Sequence, residues 1–222
     1  MLKRCAWVNL NNPLYVKYHD EEWGRPVHDD RLLFEMLILE IFVAGLSWEC
    51  VLNKRENFKR AFDNFDVDKI ITYDDRKVES LLEDSGIIRN RLKISATINN
   101  AKVYKKIQNE FGSFDQYLWS FTNNQIINEQ LINRNEYSDK LSNDLKKRGM
   151  RFVGTITVYA YLQAIGIINS HEPGCYLEHL DAWFTIIARW DTESFLKCCT
   201  KVIDITITKL GGDIFNTDIS TL

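Results

Sequence analysis

The chain has 222 residues, of which 27% are charged and 45% hydrophobic, and its formal net charge is −3. This balance is typical of a globular protein and excludes a wholly basic DNA-coating protein, although local basic patches could still contact DNA. No apolar run reaches the roughly eighteen residues of a membrane-spanning helix, and no signal-peptide core follows Met1. We therefore expect a cytoplasmic protein that has no membrane partner.

Helical signals dominate the first part of the chain. Asn12–Pro13 combines a capping residue with a proline and predicts a helix start. Asp30 opens a segment that is apolar almost all round, which predicts a central, buried helix ending before Gly45. Ser47 then caps a further predicted helix that continues to Phe62.

The second part of the chain is also predicted to be helical. Its predicted helices begin at Asp75, after Ile88, and at Ser113, Ser138 and Thr155. Thr155–Ala164 is rich in β-branched residues, which favours a strand, but Val158, Leu162 and Ile165 recur at helical spacing. We therefore expect an all-α fold.

The domain organisation follows from where these patterns end. We expect one compact helical domain over residues 1–177. Residues 178–222 form a C-terminal extension of unknown role, and we expect it to contain at least one helix.

Four residues at the two ends of this domain could bind a metal ion. Cys5 and His19 lie near the start, and His171 and Cys175 lie near the end. Two cysteines and two histidines fill the tetrahedral shell of Zn²⁺ and leave no position for water, so such a site would be structural. The spacing is not that of a standard zinc finger, and the alternative is buried free thiols with hydrogen-bonded histidines.

A lone carboxylate marks the predicted central helix. Glu40 is the only charged residue between Glu35 and Glu49, and a carboxylate in an apolar helix must be paired, hydrogen-bonded or facing a cavity. With Trp48 nearby, it could form a pocket for a flat, electron-poor base. The alternative is a glutamate whose carboxylate reaches solvent along a polar stripe.

Aromatic residues are dense near the N-terminus, where Trp7, Tyr15, Tyr18 and Trp23 occur close together. Tyr15 and Tyr18 share one helix face. Such a stripe is more often part of a core than a platform for base stacking.

The segment 82–94 places Gly86 between two predicted helices and has basic residues at the start of the second. A turn of this kind can offer backbone N–H groups to phosphate. Similar turns are common in proteins that do not bind DNA.

Taken together, these segments resemble the bacterial-type 3-methyladenine DNA glycosylase I family. The matching blocks are Arg4–Trp7, Pro13–Asp20, Glu22–Gly24, Leu33–Met36, Leu39–Glu40, Ala44–Trp48, Lys54–Phe58, Gly86–Ile94, Leu145–Thr155 and His171–Cys175. They are colinear over about residues 3–175, so the extension is outside the resemblance.

The resemblance implies a helical fold with a helix-hairpin-helix element that grips DNA. It implies one structural zinc ion per chain, held by Cys5, His19, His171 and Cys175. It implies Glu40 as the carboxylate that recognises the lesion and supports catalysis. The base pocket would be formed by Trp7, Tyr15, Tyr18, Trp23 and Trp48. The expected DNA contacts are Gly45 and Leu46, which fill the gap left by an extruded nucleotide, and Gly86, Arg89, Arg91 and Lys93.

The implied activity is excision of 3-methyladenine from double-stranded alkylated DNA by a monofunctional, monomeric enzyme that releases the free base. Ile41–Val43 departs from the family, because relatives often carry polar glutamine residues there. One alternative is a catalytically silent helix-hairpin-helix DNA-binding module. Another is a zinc hydrolase, which would need an open coordination position on the metal.

Overall fold

The computed structural model describes residues 2–130 and 132–179, and nearly all of their regular structure is helical. The α-helices of the described residues are α1 (Pro13–Glu21), α2 (Asp30–Val43), α3 (Trp48–Leu52), α4 (Arg55–Ala61), α5 (Val67–Ile70), α6 (Asp75–Glu83), α7 (Arg91–Phe111), α8 (Phe114–Ser120), α9 (Glu136–Lys147) and α10 (Thr155–Ala164). A 3₁₀ turn spans Asp63–Phe65, and two short parallel strands pair as β1 (Ile127–Asn128) and β2 (Ile168–Asn169). The predicted all-α fold is confirmed.

Side-chain caps explain where several helices begin. The Asn12 side chain accepts a hydrogen bond from the backbone N–H of Leu14 at 3.1 Å, and Ser47 accepts one from Cys50 at 3.2 Å. Ser113 caps α8 in the same way. Each cap satisfies an N–H group that the first turn of a helix leaves without a partner.

The helix predicted from Ser47 to Phe62 is broken in the structure. It is divided into α3 and α4 at Asn53–Lys54. Asn53 accepts a hydrogen bond from the Asn12 side chain at 3.0 Å, and Lys54 donates to the carbonyl of Ser85 at 3.2 Å. Contacts with segments distant in sequence thus accompany a break that the local pattern does not reveal.

Helix α9 begins at Glu136 rather than at the predicted Ser138. The Asn135 side chain accepts from the N–H of Ser138 at 2.8 Å, and the Ser138 hydroxyl accepts from the N–H of Asn135 at 2.9 Å. This reciprocal pair is a capping box, in which the serine is the third helical residue.

Helix α2 lies at the centre of the fold, as its apolar sequence predicts. Every residue from Leu33 to Phe42 is buried, and α3, α7, α8 and α10 pack around it. The hydroxyls of Tyr104 and Tyr161 donate to the carbonyls of Asp30 and Leu33. This packing fixes the position of every side chain that α2 carries.

Residues through Glu178 pack as one unit. The helix predicted in the C-terminal extension falls outside the described residues, which end at 179. None of the helices in the described ranges is long and apolar enough to cross a bilayer.

Two backbone segments approach each other closely beside α10. The N–H of Gly24 donates to the carbonyl of Gln163 at 3.2 Å. Gly166 has a φ of +74°, and a Cβ atom built on it would lie 2.2 Å from the carbonyl carbon of Arg25. Both the backbone conformation and the lack of space therefore require glycine at this position.

We expect Gly166→Ala to lower the free energy of unfolding by about 2–4 kcal/mol, because the added methyl group forces the two segments apart. Urea unfolding followed by circular dichroism measures the change. Gly154→Ala is the matched control, since a Cβ there meets no atom within 4 Å. Equal stability of the two variants would contradict the close approach.

Candidate active site and metal centre

An aromatic cavity of about 370 Å³ opens beside the C-terminal half of α2. The ring centroids of Trp7 and Trp23 lie 4.8 Å apart, and those of Tyr18 and Trp48 also lie 4.8 Å apart. The structure brings together all six residues that the sequence analysis assigned to the base pocket: Trp7, Tyr15, Tyr18, Trp23, Glu40 and Trp48.

Hydrogen bonds between α1 and α3 place two of the rings. The side-chain amides of Asn9 and Asn12 both donate to one carboxylate oxygen of Glu49 at 2.8 Å. Glu49 follows Trp48 in α3, whereas Asn12 caps α1, which carries Tyr18. The two asparagines therefore hold the Trp48 ring against Tyr18.

Glu40 is the carboxyl group of the pocket whose ionisation is changed by burial. Its side chain is buried, and it forms no hydrogen bond or ion pair with any residue in the described ranges. Burial raises the pKa of its carboxyl to about 8, because the charged form loses its hydration. At neutral pH the side chain of Glu40 thus favours the protonated acid, whereas a neighbouring cation would favour the carboxylate.

A second polar group of the pocket lacks a partner. The indole Nε1 of Trp48 is buried and has no hydrogen-bond acceptor among the described residues. Buried N–H groups are nearly always paired in folded proteins. Two unsatisfied polar groups in one aromatic cavity indicate a ligand that is flat and apolar on its faces and polar at its edge.

The four predicted metal ligands also come together. The donor atoms of Cys5, His19, His171 and Cys175 lie within 4.8 Å of one another, and all four residues are buried. The Cys5 Sγ lies 3.6 Å from Nδ1 of His171, and the Cys175 Sγ lies 3.5 Å from Nε2 of His19. A tetrahedron with metal–ligand bonds of about 2.0–2.3 Å has edges of about 3.3–3.8 Å, so these distances suit one metal ion.

Asp20 sets the orientation of the His19 ring. Its Oδ1 accepts a hydrogen bond from Nδ1 of His19 at 2.8 Å, and its Oδ2 accepts one from Arg4 at 2.6 Å. The hydrogen bond from Arg4 lowers the pKa of Asp20 to about 2, so the carboxylate stays ionised. Because Nδ1 of His19 donates to this carboxylate, the lone pair of the ring lies on Nε2, which faces the sulfur of Cys175. A carboxylate in this position is the usual support for a metal-binding histidine.

The candidate metal centre packs against the aromatic wall of the cavity. We use this name for the rings of Trp7, Tyr15, Tyr18, Trp23 and Trp48. The Trp23 ring lies 4.7 Å from the ring of His171, and the Trp7 ring lies 5.3 Å from the ring of His19. Two rings of the pocket therefore pack directly on two of the residues that could bind the metal ion.

The predicted DNA contacts fall on two segments, which we call the tip (Gly45–Leu46) and the hairpin (residues 84–90). Both residues of the tip are exposed. The hairpin joins α6 to α7, and its Gly86 carbonyl accepts from Lys54 at 3.3 Å and from Asn57 at 3.0 Å. Of the expected basic contacts, Arg89 and Arg91 are exposed, and Arg91 pairs with Glu79 at 2.8 Å.

Lys93 does not reach the surface where we expected a DNA contact. Its side chain is 5% exposed, and its ammonium donates to the carbonyls of Phe42 at 2.9 Å and Ala44 at 2.7 Å. The basic residues near the start of α7 thus face different surroundings, because Arg89 and Arg91 point outward and Lys93 points into the protein.

Several residues of the pocket were not predicted. Val43, Ala160, Gln163, Ser170 and Glu172 also line the cavity. Gln163 could have been found, since it is the one amide side chain on a helix rich in apolar and aromatic residues. The position of Ser170 depends on the chain path after α10 and leaves no signal in the sequence.

The structure also explains the departure at Ile41–Val43. Phe42 is fully buried and packs on Phe58 with a centroid distance of 4.7 Å, so it belongs to the core. Val43 lines the cavity instead. The apolar substitution that touches the pocket is therefore Val43.

The chain is similar to known proteins over most of its length. The chain matches the family model described as Methyladenine glycosylase over residues 7–179. It is 45% identical over 180 residues to DNA-3-methyladenine glycosylase 1 of Escherichia coli (strain K12), which covers 78% of this chain and 96% of that protein.

Solved structures give the same result. A crystal structure of 3-methyladenine DNA glycosylase I shares 44% identity with a TM-score of 0.76, covering 78% of this chain and 98% of that one. A tyrosine-to-phenylalanine variant of 3-methyladenine DNA glycosylase I in complex with 3-methyladenine shares 34% identity with a TM-score of 0.74, covering 78% and 97%.

We expect Asp20→Asn to weaken metal binding by about 10- to 100-fold, because the neutral amide holds the His19 ring less firmly. The measurement is metal content after dialysis against a graded series of chelator concentrations. Glu21→Gln is the matched control, since Glu21 only approaches the exposed Lys17 at 3.9 Å. Identical metal retention in both variants would show that Asp20 does not support the centre.

We expect Glu40→Gln to raise thermal stability at pH 8 but to change it little at pH 5. Because the folded-state pKa of about 8 exceeds the ordinary value of 4.5, the wild type loses stability as the pH rises between these values. The variant has no such group and escapes this loss. A difference in melting temperature that did not change with pH would mean that Glu40 is not desolvated.

Proposed function

The chain belongs to the methyladenine glycosylase family, and we propose that it excises 3-methyladenine from alkylated double-stranded DNA by hydrolysing the N-glycosidic bond. This is the first step of base excision repair, and free 3-methyladenine is the product. The observation that carries the proposal is Glu40, a buried carboxyl inside an aromatic cavity that has no hydrogen-bond or ion-pair partner among the described residues.

The substrate base carries its own positive charge, so its bond to the sugar is weakened before the enzyme acts. The leaving group needs no proton from a strong general acid. The protein instead has to extrude the nucleotide, enclose the base and contact it selectively. The aromatic wall suits this task, because stacking on such rings is worth about 1–3 kcal/mol per base and a cationic ring adds a cation–π contribution.

Glu40 supplies the selective contact in this scheme. Its carboxylate accepts a hydrogen bond from the exocyclic amine and offsets the charge of the ring. The cation in turn favours ionisation of Glu40, and the proton leaves to solvent. Neutral adenine has the same amine without the charge, so it does not favour the carboxylate and binds less well.

Binding a cationic base tightly does not by itself accelerate cleavage, since only interactions that strengthen in the transition state do so. The chemical step therefore gains from what the pocket does as the bond breaks, through orientation of the base and exclusion of bulk water. No lysine lines the cavity in the described part of the chain. We therefore propose a monofunctional enzyme that does not cleave the strand.

We further propose that Zn²⁺ occupies the metal centre, one ion per chain. Two thiolates and two imidazoles are a preferred donor set for zinc. The bound ion would supply a cross-link between the first residues of the domain and the last. Four protein ligands close the coordination shell, which argues against the alternative of a zinc hydrolase.

For DNA, we propose that the tip fills the gap left by the extruded nucleotide. Backbone groups of the hairpin at Gly86, with Arg89 and Arg91, would hold the phosphates. The alternative of a silent DNA-binding module does not explain an unpaired Glu40, because DNA binding alone needs no buried carboxylate.

Residues 178–222 are proposed to be an extension that is not needed for base release, since the relatives match nearly their full length without it. An enzyme that acts on chromosomal DNA would work in the cytoplasm, and at the nucleoid if the cell is bacterial.

We expect the protein to release 3-methyladenine from methylated duplex DNA in buffer that contains a chelator, because a closed structural metal exchanges slowly. Glu40→Gln should slow release by more than about 100-fold while binding undamaged duplex as tightly as the wild type. Chromatography of the released bases and fluorescence anisotropy make the two measurements. Equal losses in both would show that Glu40 is only structural, and no release by the folded wild type would refute the proposed activity.

A further inference from the structure

Lys93 is buried where the start of α7 meets the end of α2. It lies in the first turn of α7, and its ammonium donates to the carbonyls of Phe42 and Ala44 at 2.9 and 2.7 Å. Its side chain is 5% exposed. Burying a lysine is costly unless its N–H groups are paired, so this geometry indicates a specific role.

The two carbonyls are those that a helix end leaves without donors. The last carbonyls of an α-helix have no N–H partner in the helix, and a cation nearby is favourable. Lys93 therefore caps the C-terminal end of α2 with a side chain from another helix. The cost of holding the charge there is visible in the pKa of Lys93, which burial lowers.

The two capped carbonyls, of Phe42 and Ala44, lie between Glu40 and the tip in the sequence. Glu40 lies in the last turn of α2, and the tip begins directly after Ala44. The tip turns sharply, because the N–H of Leu46 donates to the carbonyl of Val43 at 2.6 Å. Lys93 thus holds the backbone just before the turn, while the Leu46 side chain stays 44% exposed.

Lys93 is also hydrogen-bonded to the hairpin. Asn90, the last residue of the hairpin, caps α7 by accepting from the N–H of Lys93 at 3.1 Å. The backbone and the side chain of Lys93 therefore join the hairpin to the tip through one residue. A displacement of the hairpin would therefore move Lys93 and, through its hydrogen bonds, the backbone that precedes the tip.

We propose that Lys93 is a positioning residue that holds the tip at a fixed distance from the hairpin, so that DNA gripped by the hairpin is aligned for insertion of Leu46 and for entry of the base beside Glu40. This inference rests on the proposed function. It assigns Lys93 to nucleotide extrusion rather than to phosphate binding or to the base pocket.

The test compares Lys93→Met with Lys102→Met, which removes an exposed lysine from the same helix. Single-turnover release of 3-methyladenine measures excision, and 2-aminopurine beside the lesion reports extrusion by its fluorescence. Affinities for undamaged duplex and for free 3-methyladenine measure DNA grip and pocket integrity. Circular dichroism establishes folding, and Lys93→Gln, which keeps an N–H donor, replaces the methionine variant if that variant does not fold.

For Lys93→Met we expect a single-turnover rate about 10- to 100-fold lower and a weaker fluorescence rise, because a misplaced tip inserts less often. Both affinities should stay at the wild-type level. Lys93→Arg should restore part of the rate, since a guanidinium can also donate to two carbonyls. Lys102→Met should match the wild type.

Three outcomes would overturn the inference. An unchanged rate and fluorescence would show that the cap is not used. A loss of affinity for undamaged duplex that equals the loss of rate would make Lys93 a DNA contact. A loss of affinity for the free base would make it part of the pocket. Failure of the wild type to release the base would instead refute the proposed function.

Discussion

The burial of α2 is the constraint on which the rest of the structure depends. A helix that is apolar almost all round cannot lie on a surface, so other helices must cover every side of it. That requirement places α3, α7, α8 and α10 around one axis. It also carries Glu40 into the interior, where the carboxyl must find a partner or a cavity.

A buried cluster of two cysteines and two histidines that could hold a metal ion joins the two ends of the domain. Its ligands come in two pairs from opposite ends of the domain, and both histidine rings contact tryptophans of the pocket. The pocket is thus lined by a helix fixed by apolar packing and by tryptophan rings that pack on a cluster able to hold a metal ion.

The two buried glutamates of α2, Glu35 and Glu40, have different surroundings. Glu35 and Arg55 are both buried, and the Arg55 Nε donates to Glu35 at 2.6 Å while a second nitrogen donates to Glu22. That network satisfies its members and joins α2 to α4. Glu40, on the same helix as Glu35, has no such partner in the part of the chain that the structure describes. Burying this carboxyl unpaired lowers the stability of the fold. Such a cost is expected at a binding site, because an unpaired group remains available to a ligand.

Local sequence alone determined much of this protein. The capping residues Asn12 and Ser113 set helix starts, and the apolar run after Asp30 identified the central helix. The same run marked Glu40 as a charged residue in apolar surroundings, without showing what its carboxylate faces. These features act over one or two helical turns, so they can be read without knowing the fold. The resemblance of the motifs to a known family then grouped the two pairs of metal ligands and the aromatic residues.

Only the tertiary structure decided the features that depend on distant contacts. The sequence of α2 does not distinguish Glu35, which meets Arg55, from Glu40, which meets a cavity. Nor does the start of α7 reveal that Arg91 faces solvent whereas Lys93 caps another helix. Local patterns specify which residue types are adjacent along the chain, but the partner of a buried charge is chosen by how separate elements pack.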